Sequence, residues 1–313
     1  MITASMNSSS FSFNFQHYLD AKRSVDDRAL NRQVWAMLAQ HLAQVSRRPI
    51  RILEIGAGIG TMIPRVWEWG LVDQATYLAL DIEMANLQYA RRWLAHWARQ
   101  AGITFDATAG SYLFQQGERW LRLDLLAADA VVPGGLPLHL PQFDLLIAHT
   151  VLDLVNLEAG LTTLSTCVRS GGWLYLTLNF DGLSLFLPPL SQELDEQVIA
   201  LYHQSMDERR LHGLPTGGST AGRALFTTSR ALGLEILTAG ASDWVVFPHH
   251  GRYPAREAYF LECILHFVEE SLTRQALLPA DLLKKWLTAR REQIARGELI
   301  FVAHQLDFLL RVP

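Results

Sequence analysis

Residues 51–62, RILEIGAGIGTM, place three glycines in five positions directly behind a short apolar run that carries one acid, Glu54. RILEI has the composition of a short buried strand, and the chain turns helical again within TMIPRVWEWG, where Pro64 restricts the helix to starting just before it. A strand, a glycine loop and a helix in that order bring bare backbone and free N–H groups to a ligand. This unit demands an open α/β sheet, whose ligands bind at the carboxyl ends of its strands.

The rest of the first two-thirds keeps the same rhythm. ATYLALDI (75–82) reads as a second strand, 84–101 as a helix, RWLRLDLL (119–126) as a third strand, FDLLIAHTV (143–151) as a fourth and GGWLYLTLNF (171–180) as a fifth, with a helix over 157–169. Several of these strands are almost continuously apolar, which implies a mainly parallel sheet covered on both faces. Ahead of it, 16–46 is helical, with Leu30, Val34, Trp35, Leu38 and Leu42 at helical spacing. Past residue 181 the pattern changes to two helices around the loop GLPTGGSTAGR, a strand-like run over 234–247, helices near 255–273 and 279–297, and a last strand in GELIFVAHQLDFLLRV.

A nicotinamide fingerprint, G-x-G-x-x-G, wants a third glycine where Thr61 stands; Gly56, Gly58 and Gly60 make G-x-G-x-G instead. With Glu54 ahead of it, LEIGAGIG resembles the first motif of class I S-adenosylmethionine (SAM)-dependent methyltransferases, (D/E)-x-G-x-G-x-G. FDLLIAHTVLDLV resembles the family's fourth motif and VRSGGWLYLTL its turn into strand five. The resemblance spans 51–180 and implies a Rossmann-like, seven-stranded, mainly parallel sheet with an antiparallel last strand. It implies S-adenosyl-L-methionine as cofactor, with S-adenosyl-L-homocysteine as product.

Carried over residue by residue, the resemblance makes Glu54, Gly56, Ala57, Gly58 and Gly60 the cofactor loop. Asp81, followed by Ile82, becomes the acid for both ribose hydroxyls, since a carboxylate accepts two hydrogen bonds at once. Asp124, with Leu125, becomes the acidic position near the adenine. Asp81 is equally suited to capping the helix that follows it. Tyr18 and Arg28, on a charged amphipathic segment, are expected to cover the cofactor's carboxylate from an N-terminal helical lid. The domain expectation is a lid over 1–50, a SAM-binding core over 51–180, an acceptor-binding roof over 181–298 with one core strand near 234–247, and a final core strand over 299–313.

Methyl transfer needs alignment, exclusion of water and, for a protonated nucleophile, a base. His149 and Asp153 follow the fourth strand, so His149 is a candidate base or a lining of the cofactor's methionine end, with Asp153 orienting it. His203, Asp207 and Arg210 fall at i, i+4 and i+7 on one helix face and are read as an acceptor wall, His203 being the alternative base. Arg223 is a candidate partner for an acceptor's carboxylate or phosphate, and Trp244 for its apolar part. The adjacent His249 and His250 lack partner cysteines, so no metal is expected.

Composition narrows the partners. A net charge of −4 over 313 residues gives no general attraction to nucleic acid. No apolar run approaches the roughly 20 residues a bilayer span requires, and the polar start lacks a basic stretch followed by an apolar one, so the expectation is a cytoplasmic protein. Cys167 and Cys263 are the only cysteines. The expected partner is a small-molecule acceptor, with no nucleic acid and no membrane, and the chain is a monomer or homodimer. A nicotinamide-dependent oxidoreductase and a non-catalytic protein that keeps the fold as a partner or regulator are the alternatives.

Overall fold

A computed structural model describes residues 11–108, 110–132, 135–136, 140, 142–276 and 278–313. Two helices come first, α1 (Phe15–Ala29) and α2 (Arg32–Ala43). Each begins at an asparagine whose side chain accepts backbone N–H groups, Asn14 from His17 and Asn31 from Gln33 and Val34. The strand–loop–helix repeats follow as β1 (Ile50–Ile55), α3 (Met62–Glu68), β2 (Gln74–Asp81) and α4 (Met84–Gln100). Next come β3 (Thr104–Thr108), β4 (Ser111–Gln116), β5 (Arg119–Ala127), β6 (Phe143–His149), α5 (Leu157–Thr166) and the 20-residue β7 (Val168–Leu187).

The last third holds α6 (Gln192–Asp207), the two-residue strands β8 (Arg210–Leu211) and β9 (Leu214–Pro215), and α7 (Ala221–Ala231). It closes with β10 (Glu235–Ala241), β11 (Trp244–Val246), α8 (Glu257–Gln275), α9 (Ala280–Ala295) and β12 (Ile300–Arg311).

The main sheet runs β10-β12-β7-β6-β1-β2-β5-β4-β3, with β11 also on β12. From β5 through β2, β1 and β6 to β7 every pairing is parallel, and β12 is antiparallel to both β7 and β10. Without the appended β3, β4 and β11 this is a seven-stranded, mainly parallel sheet whose last strand is antiparallel. Alternation sorts side chains to two cores. Ile52, Tyr77, Ile147 and Tyr175 face α2, α3 and α4, while Leu53, Ile55, Leu146 and Leu176 face α5 and α7. A third core joins α1, α6, α8 and α9 to the far half of β7 and to β11 and β12. Phe260 and Trp286 are fully buried in it, each worth about 1.5–3 kcal/mol of apolar transfer or more.

Two local readings change. The hairpin of β3 and β4 occupies 104–116, which carries no assignment from sequence; Phe105 and Phe114 pair across it. The helix expected to run through Arg210 stops at Asp207, because His212 and Gly213, both at positive φ (51° and 80°), turn Arg210–Leu211 back onto Leu214–Pro215.

Candidate active site

The strand order reverses at β1, which lies between β2 and β6, so the crevice beyond the ends of β1 and β6 is the switch point where open α/β sheets bind ligands. The glycine loop leaves β1 there. Gly56 and Gly58 adopt φ of 62° and 56°, in the left-handed region that an L side chain resists. The Gly58 N–H donates to Asp81 Oδ2 at 2.7 Å, so the end of β2 holds the loop. Asp81 Oδ1 accepts from the Glu83 N–H at 2.8 Å and Asn86 Nδ2 at 3.0 Å, at the start of α4. Three of its roughly four acceptor sites are in use. Ile82, 64% exposed, flanks it.

Glu54 is fully buried and accepts from the Tyr77 hydroxyl at 2.8 Å. Burial raises its pKa to about 8. The folded chain therefore keeps a proton that the unfolded chain releases between about pH 4.5 and 8, and stability falls as pH rises through that window. Unfolding free energies from urea titrations across it should decline by up to about 1.4 kcal/mol per pH unit, and Glu54→Gln should flatten the decline.

Helix α1 lies across the loop. Leu19 packs on Gly58, where an added Cβ would lie 2.9 Å from Leu19 Cδ1. Gln16 donates to Asn86 at 2.8 Å, and Asp20 accepts from Trp93 at 3.0 Å. Beneath the helix is a buried ionic cluster. Asp26 meets Lys22 at 2.6 Å, His149 Nε2 at 3.0 Å and Trp244 Nε1 at 2.9 Å, while buried Arg65 reaches Asp27 at 2.6 Å. Burial opposes the Asp26 charge, but Lys22, His149 and Arg65 together hold its carboxyl well below the usual range.

This cluster changes the reading of His149. Its Nδ1 lies 2.8 Å from the Thr177 hydroxyl, its Nε2 faces Asp26, and it is 6% exposed. Burial, with Lys22 alongside, lowers its pKa to about 3. A neutral imidazole with both nitrogens engaged accepts no proton from an acceptor, so His149 ties α1 to β6 and β7 instead of acting as a base. His149→Ala should cost about 1–3 kcal/mol in urea denaturation by stranding buried partners.

A cavity of about 350 Å³ opens on the other side of α1, between that helix, α6, α8 and the sheet. Asp153, just past β6, faces it, and burial raises the Asp153 pKa. Tyr18, Lys22, Tyr202 and Trp244 share its wall, and Leu19 touches both this space and the glycine loop. Tyr18 thus belongs to the cavity and stacks on Phe260.

Other candidates lie apart. Asp124 sits in the middle of β5 opposite Leu78 and beside Ser111, three positions short of the level of Asp81, with Leu125 next to it in the sheet. Arg28 forms a two-pronged pair with buried Glu257, at 2.6 and 2.9 Å, joining α1 to α8. Arg223 pairs with Asp181 at 2.7 Å on the surface, and Asp207 caps the turn at Ser219. Arg210 is exposed in β8. His203 contacts Ser184 at 3.1 Å and Phe180, outside the cavity wall. Asp129, absent from the sequence-based set, stands just past β5 beside the end of β2, where the Ala128 N–H donates to the Asp81 carbonyl at 3.1 Å. Its position two residues past the strand was the available signal. Among the described residues no His, Cys, Asp or Glu group is placed to hold a metal, and no helix is long and apolar enough to cross a membrane.

The strand order, the antiparallel last strand and the glycine loop at the switch point decide the architecture. The chain has a Rossmann-like methyltransferase fold. No protein-family model and no curated protein matches the sequence. Among solved structures there is likeness in fold at low identity. A phosphoethanolamine N-methyltransferase from Haemonchus contortus, determined with S-adenosyl-L-methionine, is 12% identical with a TM-score of 0.39, over 96% of this chain and 60% of that one. This chain therefore spans under two-thirds of that enzyme. A cyclopropane synthase from Mycobacterium tuberculosis is 12% identical with a TM-score of 0.45, over 95% and 96% of the two chains. A geranyl diphosphate C-methyltransferase from Streptomyces coelicolor is 10% identical with a TM-score of 0.43, over 89% and 78%. In this fold α1 packs onto the glycine loop through Leu19.

Proposed function

We propose that the chain is a SAM-dependent methyltransferase acting on a small molecule. The observation that carries this reading is the placement of the glycine loop and Asp81 at the switch point, one helix away from an enclosed, mostly apolar cavity faced by a carboxylate. The residues fit an adenosine moiety: Gly56 is exposed, Asp81 stands at the end of β2, Ile82 offers an apolar face, and Asp129 is the polar group beyond β5. The space above Gly58 holds Leu19, so the methionine end requires α1 to shift by about a side chain. The proposed organisation keeps 1–50 as that lid and 181–298 as the acceptor roof.

When bound, the cofactor supplies a methyl group on an electrophilic sulfonium. The chain's own part is positional and acid–base. Asp81 holds the loop, α1 shields the site from water, the cavity orients the acceptor, and Asp153 receives the acceptor's proton. A raised carboxyl pKa suits that task near neutral pH.

Calorimetry with S-adenosylhomocysteine tests the reading, with NADH as the comparison for an oxidoreductase. Asp81→Ala should weaken S-adenosylhomocysteine binding by about 1.5–3 kcal/mol, as for loss of charged hydrogen bonds. Equal affinity of wild type and variant would take Asp81 out of the site, and binding of NADH alone would overturn the proposal. Binding without methyl turnover would favour a non-catalytic role.

A further inference from the structure

The cavity beside Asp153 carries a pattern of its own. Asp153, which takes a backbone hydrogen bond, and Tyr18 and Tyr202 all line it. Lys22, 4% exposed, directs one of its three donors to Asp26 at 2.6 Å and leaves two for the cavity it lines. Gln305, 2% exposed, lines the same wall with its Oε1 unpartnered. Buried polar groups are ordinarily satisfied, so the open Gln305 oxygen, beside the spare Lys22 donors and the carboxylate and hydroxyls of the same wall, points to a polar atom of a ligand. The rest of the wall is aromatic, with Phe180, Trp244, Phe267 and Phe301.

Charge selects which polar atom. Facing the cavity are Lys22, balanced by Asp26, then Arg209 at the mouth without a carboxylate partner among the described residues, Arg274 paired with Glu270, and Asp153. Two carboxylates, Asp153 and Glu270, thus stand among three cations, and with Arg274 held by Glu270 the pair left at the inner wall is the Lys22 ammonium and the Asp153 carboxylate. A hydroxyl, which accepts from the one and donates to the other, matches that pair, whereas an ammonium meets Lys22 as a like charge.

We propose that the acceptor is a flat, apolar molecule bearing an acidic hydroxyl, a phenol or enol, whose oxygen lies between Lys22 and Asp153. This deepens the methyltransferase reading and rests on it for the donor only. In the transfer, Asp153 takes the hydroxyl proton and an oxygen electron pair forms the O–CH₃ bond. The S–CH₃ bond of the methylsulfonium donor breaks with its electrons left on sulfur, and the proton passes from Asp153 to water, so the products are a methyl ether, a thioether and one proton. Lys22 is a positioning residue that steadies the developing oxyanion.

The test titrates 2-naphthol, naphthalene and 2-(aminomethyl)naphthalene into the full chain, read by calorimetry and tryptophan fluorescence. The naphthol should bind about tenfold or more tightly than either other probe, the scale of one charge-assisted hydrogen bond. Lys22→Met should bring naphthol and naphthalene to within about threefold of each other, with retained naphthalene binding reporting an intact cavity. Should Lys22→Met fail to fold, Tyr202→Phe, which removes a single hydroxyl from the cavity wall, should weaken naphthol alone by about fivefold. An ammonium probe that binds as well as the naphthol, a naphthol no tighter than naphthalene, or no binding of any probe would overturn the proposal. S-adenosylhomocysteine is titrated in parallel. Naphthol binding without it leaves the acceptor site standing and removes the methyltransferase reading, and the reverse result removes the acceptor site alone.

Discussion

Gly58→Val is expected to abolish S-adenosylhomocysteine binding in calorimetry, a loss of more than about a hundredfold. Two effects combine at that position. A β-branched residue at φ of 56° is strained by about 1–2 kcal/mol, and its first carbon would already lie 2.9 Å from Leu19, in the space the cofactor must enter. Gly70→Val separates the two effects. Its φ is 63° with nothing within 4 Å of an added Cβ, so it should lower stability by a similar strain and leave binding intact. Leu19→Ala completes the series. With less side chain above Gly58, affinity should rise above wild type, because α1 then yields the space at lower cost. A Gly58→Val protein that still binds S-adenosylhomocysteine would place the ligand elsewhere.

Asp153→Asn is the second large effect. The Asp153 carboxylate has no side-chain partner among the described residues, so the change should leave the melting temperature and S-adenosylhomocysteine affinity near wild type. Turnover, followed as S-adenosylhomocysteine formed in the presence of 2-naphthol, should fall by about 10²–10⁴, the usual contribution of a positioned base. An amide has the shape of the carboxylate and none of its basicity. Because the Asp153 pKa is raised by burial, wild-type turnover should fall as pH drops through a point above the ordinary carboxylate range. A variant within a few-fold of wild type would assign the rate to positioning alone.

The sheet and the glycine loop were legible because they are local: apolar runs of strand length, punctuated by glycine and followed by amphipathic helices. The seat of Asp81 was legible for the same reason, since one carboxylate at a strand end serves both the loop and α4. What sequence left hidden depends on distant packing. Nothing near His149 says that Asp26, 123 residues earlier, will face it and remove it as a base. Arg28 reads as a cofactor clamp until Glu257, 229 residues away, is seen opposite. The grouping of His203 with Arg210 assumed a continuing helix, and the turn at His212–Gly213 ended it. That Asp124 lies within β5 and Asp129 just past it likewise required knowing where the strand stops.

Strand β7 runs 20 residues without a break, and β12 pairs with it from Trp173–Arg311 at one end to Leu187–Ile300 at the other. Its first half belongs to the nucleotide-side sheet and its second half carries the floor under α6, α8 and α9. The two strands act as a beam that extends past its support, laced along both halves and interrupted only near Ala303–Gln305 and Leu306–Phe308. A roof mounted on such a cantilever does not swing as a separate jaw. Under the proposed function, access would then come from α1, which packs on the glycine loop without being woven into the beam: it would move as a latch against the frame, with the ionic cluster at Asp26 as its catch.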